Sequence, residues 1–232
     1  QAFPSQLQLV FIDPGSRATI WMEPCVESWE RFPIHVQWEG RWWERTVALI
    51  ERCRERCRGL CLVVPPNLQG GLDCLAALRG AENLALDLVL QPEVVERALR
   101  EVNRCFLEVQ QRLANLCDVQ AQGSVNRHLL YHRGQVGIPQ CDFSCLVSPE
   151  HFERFAKPAI RFEAEAFDES EYHLDGPGAI RHLESLAGID AISIIQWQPG
   201  FRDQHRDWTA LYHRIDSLGK GIYLPAAPDA LK

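Results

Sequence analysis

The fold is decided by the stretch C141-D-F-S-C-L-V147 together with two later stretches of the chain, E171-Y-H-L-D175 and A191-I-S-I-I-Q-W197. Each of these three runs is short and apolar and ends in polar residues. The first is followed by Ser148-Pro149-Glu150, a typical helix start, and the other two by glycine and proline turns. Short strands that alternate with turns and helices are typical of βα units. The sequence therefore predicts three parallel strands here.

Four more apolar runs extend this alternation along the chain. We predict strands at Leu60–Val64, Val119–Gln122 and Gly221–Leu224, and a further one at Leu7–Ile12. The helices between them are predicted at Thr46–Arg58, Leu72–Arg79, Leu84–Leu90, from Pro92 onward, from Ser148 onward with a kink at Pro158, and at Trp208–Leu218. This order predicts an α/β fold, a (β/α)8 barrel of the TIM type.

The chain divides by composition into two parts of one domain. Residues 1–59 are rich in Trp and Pro, and we interpret them as a cover over one mouth of the barrel; some of the indoles are alternatively the walls of a pocket for a flat ligand. Residues 60–232 form the main βα part. The chain has 232 residues and lacks an initiating Met, which favours a fragment or a processed product.

Composition excludes several classes of function. The net charge of −7 argues against a nucleic-acid surface, and no apolar run approaches the roughly 20 residues that span a bilayer. The nine cysteines are scattered through predicted helices and strands, which favours reduced thiols in a cytoplasmic protein. Cys53, Cys57 and Cys61 follow at intervals of four, but this spacing does not match familiar zinc or iron–sulfur sites.

The predicted strand ends carry the candidate catalytic residues. In parallel sheets the chemistry lies at the carboxyl ends of strands, and these ends carry Asp142, His173 and Asp175. Side chains alternate along a strand, so His173 and Asp175 share a face. They form either a general acid/base pair or a metal site, with zinc as the candidate ion. Asp142 is a further catalytic candidate or, alternatively, a structural carboxylate.

The candidate substrate-binding residues lie at the same strand ends and in one loop. Gln196 and Trp197 offer an amide and an indole, and Tyr172 is a third candidate. The polar segment 124–139 carries Arg127 and Arg133, which either clamp an acidic small-molecule substrate or belong to an ordinary solvated loop. Asp73 is either a site residue or, as we prefer, a favourable charge near a helix N-terminus.

Four blocks resemble uroporphyrinogen decarboxylase-like proteins, whose superfamily of (β/α)8 barrels also contains zinc- and corrinoid-linked methyltransferases. These blocks are QCDFSCLVSPEHF, YHLDGPGAIRHL, DAISIIQWQPG and the upstream NLQGGLDCLAALRGAENLALDLVLQPEVV. The resemblance covers about residues 60–224. It implies a barrel truncated at both ends, with one strand before Gln1 and another after Lys232.

The resemblance implies decarboxylation of a carboxylated small molecule or tetrapyrrole-type substrate. The alternative is zinc-dependent methyl transfer with a corrinoid protein as partner. In those methyltransferases the comparable strand carries His-x-Cys, whereas this chain carries His173-Leu174-Asp175. A second alternative is a catalytically inactive barrel that serves as a binding or assembly subunit. A homodimer or larger assembly is compatible with each of these.

Overall fold

The N-terminal half of the chain is largely helical. The computed structural model describes residues 9–10 and 21–224. Its first elements are a short antiparallel pair and four helices: β1 (Leu9–Val10), β2 (Trp21–Met22), α1 (Arg41–Cys57), α2 (Gly71–Arg79), α3 (Ala81–Leu90) and α4 (Pro92–Leu116). These helices were predicted, and the signals that delimit them are local. Gly80, at a φ of +86°, separates α2 from α3, and Pro92 begins α4.

The second half alternates strands with helices. In chain order its elements are α5 (Val119–Gln122), β3 (Ser124–Val125), β4 (Tyr131–His132), β5 (Val136–Gly137), a 3-10 turn (Asp142–Leu146), α6 (Pro149–His151), a π turn (Phe152–Ala156), α7 (Lys157–Glu165), β6 (Glu169–Asp175), a 3-10 turn (Pro177–His182), α8 (Leu183–Ala187), β7 (Ile194–Gln198), α9 (Gly200–Asp203), α10 (Thr209–Ser217) and β8 (Gly221–Tyr223). The π turn stands just before Pro158. A proline ring there would clash with the carbonyl of Arg154 in a regular helix, and a widened turn avoids that contact.

A four-stranded parallel sheet forms the centre of this half. Its order is β5-β6-β7-β8, so strands that follow one another in the chain lie side by side. Helices make the crossovers, which establishes the α/β class. Among residues 9–10 and 21–224, the other strands form two antiparallel pairs, so the described part of the chain forms an open sheet rather than a complete (β/α)8 barrel.

Three predicted strands are wrong. Leu60–Val64 is irregular, because Leu60 is 83% exposed and Leu62 41% exposed and neither is buried as a central strand requires. Val119–Gln122 is a single helical turn closed by Gly123 at a φ of +73°. Cys141–Val147 contains a 3-10 turn, since the backbone N–H groups of Asp142 and Phe143 bond to a side chain from α2 instead of a neighbouring strand.

The remaining strand predictions are confirmed within a few residues. Glu171–Asp175, Ala191–Trp197 and Gly221–Leu224 correspond to β6, β7 and β8. Of the run Leu7–Ile12, only the two residues of β1 lie within the described part of the chain. Within that part, no helix combines the length and the apolar character that a membrane crossing requires.

The two faces of the sheet differ in chemistry. Tyr172, Leu174, Ile195 and Trp197 pack with the surrounding helices in the main apolar core. The residues between them in the chain, which are polar in β6, point to the other face because strand side chains alternate. Segment 21–40 joins the same core through Val26, Trp29 and Ile34. The polar face is therefore the surface on which a site is built.

Candidate functional site

A row of polar side chains crosses the sheet at the level of His173. In the strand register His173 lies beside Gln196 of β7, and Gln196 lies beside Tyr223 of β8. On the other side of β6, Gln140 forms an isolated parallel bridge with His173. Parallel neighbours in register present their side chains on the same face, so the sequence of βα units brings these groups together.

Gln196 fixes the orientation and tautomer of the His173 ring. Its Nε2 donates to the carbonyl oxygen of Trp197 at 2.9 Å, which turns its Oε1 toward Nδ1 of His173, with which it forms a hydrogen bond. An amide oxygen only accepts, so Nδ1 carries the proton and Nε2 keeps its lone pair. Burial lowers the pKa of His173, although the bond to Gln196 opposes this. The ring is therefore neutral at pH 7, with one nitrogen able to accept a proton or bind a cation.

Two carboxylates face this imidazole. One ring nitrogen of His173 and carboxylate oxygens of Asp142 and Asp175 all lie within 4.8 Å of one another. Asp142 stands at the exposed rim, but the protein around its carboxyl displaces water and raises its pKa, and the charge of Asp175 adds to this effect. The structure thus brings together all three residues that the sequence assigned to catalysis.

Asp73 holds Asp142 in place from α2. Its two carboxylate oxygens accept hydrogen bonds from the backbone N–H groups of Asp142 and Phe143, each at 2.9 Å. Burial and the neighbouring Asp142 raise the pKa of Asp73 to about 6, against the effect of these bonds. We predicted chiefly a helix-terminus role for Asp73. Its position in the first turn of α2 is as expected, but its hydrogen bonds make it a positioning residue of the site.

A second histidine lies beside the first and was not predicted. His128 Nδ1 is 2.9 Å from Oε1 of Glu171, and its ring stacks on Tyr223 at 5.1 Å and lies 6.0 Å from the ring of His173. Asn126 donates to the other oxygen of Glu171 at 2.6 Å. Glu171 is fully buried on the face of β6 that carries His173. The spacing of two residues between Glu171 and His173 could have placed Glu171 on this face, whereas His128 joins it through a contact between residues 43 apart in the chain.

The two predicted loop arginines have different positions. Arg127 is close enough to the cluster for its positive charge to lower the pKa of both Asp142 and His173. Arg133 is exposed, and none of the hydrogen bonds or ion pairs of the described residues joins it to the cluster. The structure brings Arg127, but not Arg133, to the site.

Trp197 and Tyr172 lie away from the polar face. Trp197 is 2% exposed and its ring packs edge-on against Trp208 at 4.8 Å, while Tyr172 is 1% exposed in the same core. Both alternate with His173 and Gln196 along their strands, which explains this placement. Gln196 is buried and contacts His173, so of these predicted substrate contacts it alone adjoins the cluster.

The donor set of the cluster fits a divalent cation such as zinc. Catalytic zinc sites have three protein ligands and an open position, and a ligating histidine usually donates its second ring N–H to a carbonyl or carboxylate oxygen. Asp142, His173 and Asp175 supply three ligands, and Gln196 accepts from Nδ1. Among the described residues these three form the group of His, Cys, Asp or Glu side chains arranged for metal binding; Cys53, Cys57 and Cys61 form no such group.

Comparisons with known proteins leave the family of the chain open. No protein-family model matches it, and neither a curated protein nor a solved structure does.

Proposed function

We propose that this chain is a uroporphyrinogen decarboxylase-like enzyme that removes CO2 from a carboxylated small molecule at the cluster of Asp142, His173 and Asp175. The observation that supports the proposal is the meeting of these three groups at the carboxyl end of parallel strands. Active sites of α/β enzymes lie at this edge of the sheet. Sequence resemblance supplies the superfamily and the reaction class.

The charged and ionisable groups around the cluster suit the two steps of a decarboxylation, which are the loss of CO2 and the protonation of the remaining carbon. Arg127 offers a guanidinium to the substrate carboxylate, and its positive charge already acts on Asp142 and His173. When the bond between the carboxylate carbon and its neighbour breaks, CO2 leaves and the electron pair stays on the substrate carbon. A proton must then reach that carbon. Because the pKa of Asp142 is raised, its carboxyl group is the candidate donor of that proton, and the lowered pKa of His173 brings the proton affinities of the two groups closer together.

The buried polar groups weigh against an inactive barrel. Glu171, His128 and Asn126 form a hydrogen-bonded network beside the cluster, and burial together with the charge of Asp142 raises the pKa of Asp73. Burying such groups destabilises a fold relative to apolar packing, and perturbed ionisable groups concentrate at functional sites. This network therefore supports an enzyme rather than an assembly subunit.

Release of CO2 from a panel of mono- and polycarboxylic acids, including uroporphyrinogen III, tests the proposal. We expect the wild type to release CO2 from at least one acid. The His173→Ala and Asp142→Asn variants should lose at least about a hundredfold in the rate of this release, and His213→Ala should keep the wild-type rate. His213 is exposed on α10, away from the cluster. Turnover of no acid, or undiminished turnover in His173→Ala, would contradict the proposal.

Zinc-linked methyl transfer is the second candidate, favoured by the three ligand atoms within 4.8 Å. A zinc ion held there would act as a Lewis acid on a substrate oxygen or sulfur. The residues themselves would orient it: Gln196 fixes His173, and Asp73 fixes the turn that carries Asp142. Elemental analysis after zinc loading distinguishes the candidates. One zinc per chain, lost in His173→Ala and kept in His213→Ala, favours zinc-linked methyl transfer.

A further inference from the structure

An apolar cavity of about 610 Å³ lies between α1, α2 and α4 and is closed on one side by segment 66–69. Its walls include Trp42, Trp43, Leu68, Phe106, Val109 and Leu113. Pockets for small ligands usually occupy about 300–1,000 Å³ and have apolar walls with a few polar groups. The cavity therefore has the size and the lining of a ligand site.

The indoles of the cavity are held by other side chains. Trp43 packs edge-on against Trp38 at 4.8 Å, and the guanidinium groups of Arg41 and Arg45 lie over Trp42 at 5.3 and 5.8 Å from its ring centre. Such ring–ring and cation–π contacts restrict the orientation of aromatic rings. Two positioned aromatic walls favour a flat, ring-bearing occupant.

Arg127 links the cavity to the polar cluster. It lines the cavity, and it directly precedes His128, whose ring lies 6.0 Å from the ring of His173. It also lines a neighbouring cavity of about 580 Å³. In residues 21–224 no carboxylate lies within ion-pair distance of its guanidinium. A cation without an acidic partner at the edge of an apolar cavity is complementary to a ligand that is both apolar and anionic.

We propose that this cavity binds the ring-bearing part of an aromatic or similarly apolar monocarboxylate, with the carboxylate at Arg127. The inference rests on the proposed function, since it identifies the class of acid whose carboxylate the cluster receives. Trp42 and Trp43 contact the ring, and Arg127 directs the acid group toward His173. This also assigns the aromatic N-terminal segment to ligand binding in addition to packing.

Calorimetric titration with 1-naphthoate and with the uncharged 1-naphthamide tests the inference. We expect naphthoate to bind the wild type more tightly than naphthamide. Arg127→Gln should weaken naphthoate about tenfold, which corresponds to about 1.4 kcal/mol, and leave naphthamide unchanged. Ala77→Leu should weaken both ligands, because Ala77 lines the cavity. Arg100→Gln removes an exposed arginine of α4 outside the lining and should change neither.

The outcomes of these titrations distinguish failure of the cavity assignment from failure of the proposed decarboxylation. Absence of naphthoate binding to the wild type, or naphthoate binding that survives both Arg127→Gln and Ala77→Leu, overturns the inference. If naphthoate binds as expected while no acid releases CO2, the cavity assignment stands and decarboxylation fails. If CO2 release depends on His173 but naphthoate does not bind, the cavity assignment fails alone.

Discussion

Glu171 offers the sharpest test of the network beneath the site. It is fully buried. One of its carboxylate oxygens accepts a hydrogen bond from Asn126 at 2.6 Å, and the other lies 2.9 Å from Nδ1 of His128. Glu171→Gln keeps one acceptor, loses the charge and turns an NH2 group toward one of these two partners. A hydrogen bond to a charged group contributes about 1.5–3 kcal/mol, so the substitution should lower the free energy of unfolding by about 2–3 kcal/mol.

Thermal unfolding followed by circular dichroism measures this change. For a chain of about 150–250 residues, 1 kcal/mol shifts the Tm by about 2–4 °C, so Glu171→Gln should lower the Tm by about 4–12 °C. Glu165→Gln is the matched control, because Glu165 is exposed at the end of α7. This substitution should change the free energy of unfolding by no more than about 0.5 kcal/mol. A Tm of Glu171→Gln within about 2 °C of the wild type would refute the reasoning.

Two other acids, the buried Glu163 and the half-buried Asp73, should behave differently. Glu163 is 2% exposed and burial raises its pKa well above the usual value, so Glu163→Gln should not lower the free energy of unfolding at pH 7, as urea titration would show. Asp73 has its pKa raised from 3.8 to about 6, so its stabilising contribution is complete below pH 3.8 and is lost as the pH rises through 6. Between about pH 4 and pH 7 the wild type should lose about 3 kcal/mol relative to Asp73→Asn, and a pH-independent difference would contradict this.

The helices and the principal strands could be predicted because their signals are local. Gly80 and Pro92 delimit helices by backbone geometry alone, and the runs within 171–175 and 191–197 are buried on one face. Segment 60–64 is also apolar, but residues 60–62 are exposed and Val63 and Val64 only half-buried, and composition alone does not show which apolar run pairs as a strand. Tertiary contacts decide such cases.

The site was predictable in its centre and not in its surroundings. His173 and Asp175 follow from the end of β6, whereas Asp142 was assigned to a strand and lies in a 3-10 turn that still brings its carboxylate to the other two. His128 reaches the cluster through a loop contact with Glu171 that no spacing encodes. The turn at Asp142 depends on Asp73, which is 69 residues away in the chain. Long-range side-chain hydrogen bonds of this kind leave no periodic pattern in a sequence.

The state of the His173 ring is the most direct test of the site. Nuclear magnetic resonance of ¹⁵N-labelled imidazoles should show His173 protonated on Nδ1, with a pKa below the usual 6.5 because of its burial. Arg127→Gln should raise that pKa and Asp142→Asn should lower it, since Arg127 opposes the charged ring and Asp142 favours it. A proton on Nε2 in the neutral ring, or shifts of the opposite sign, would contradict the proposed site.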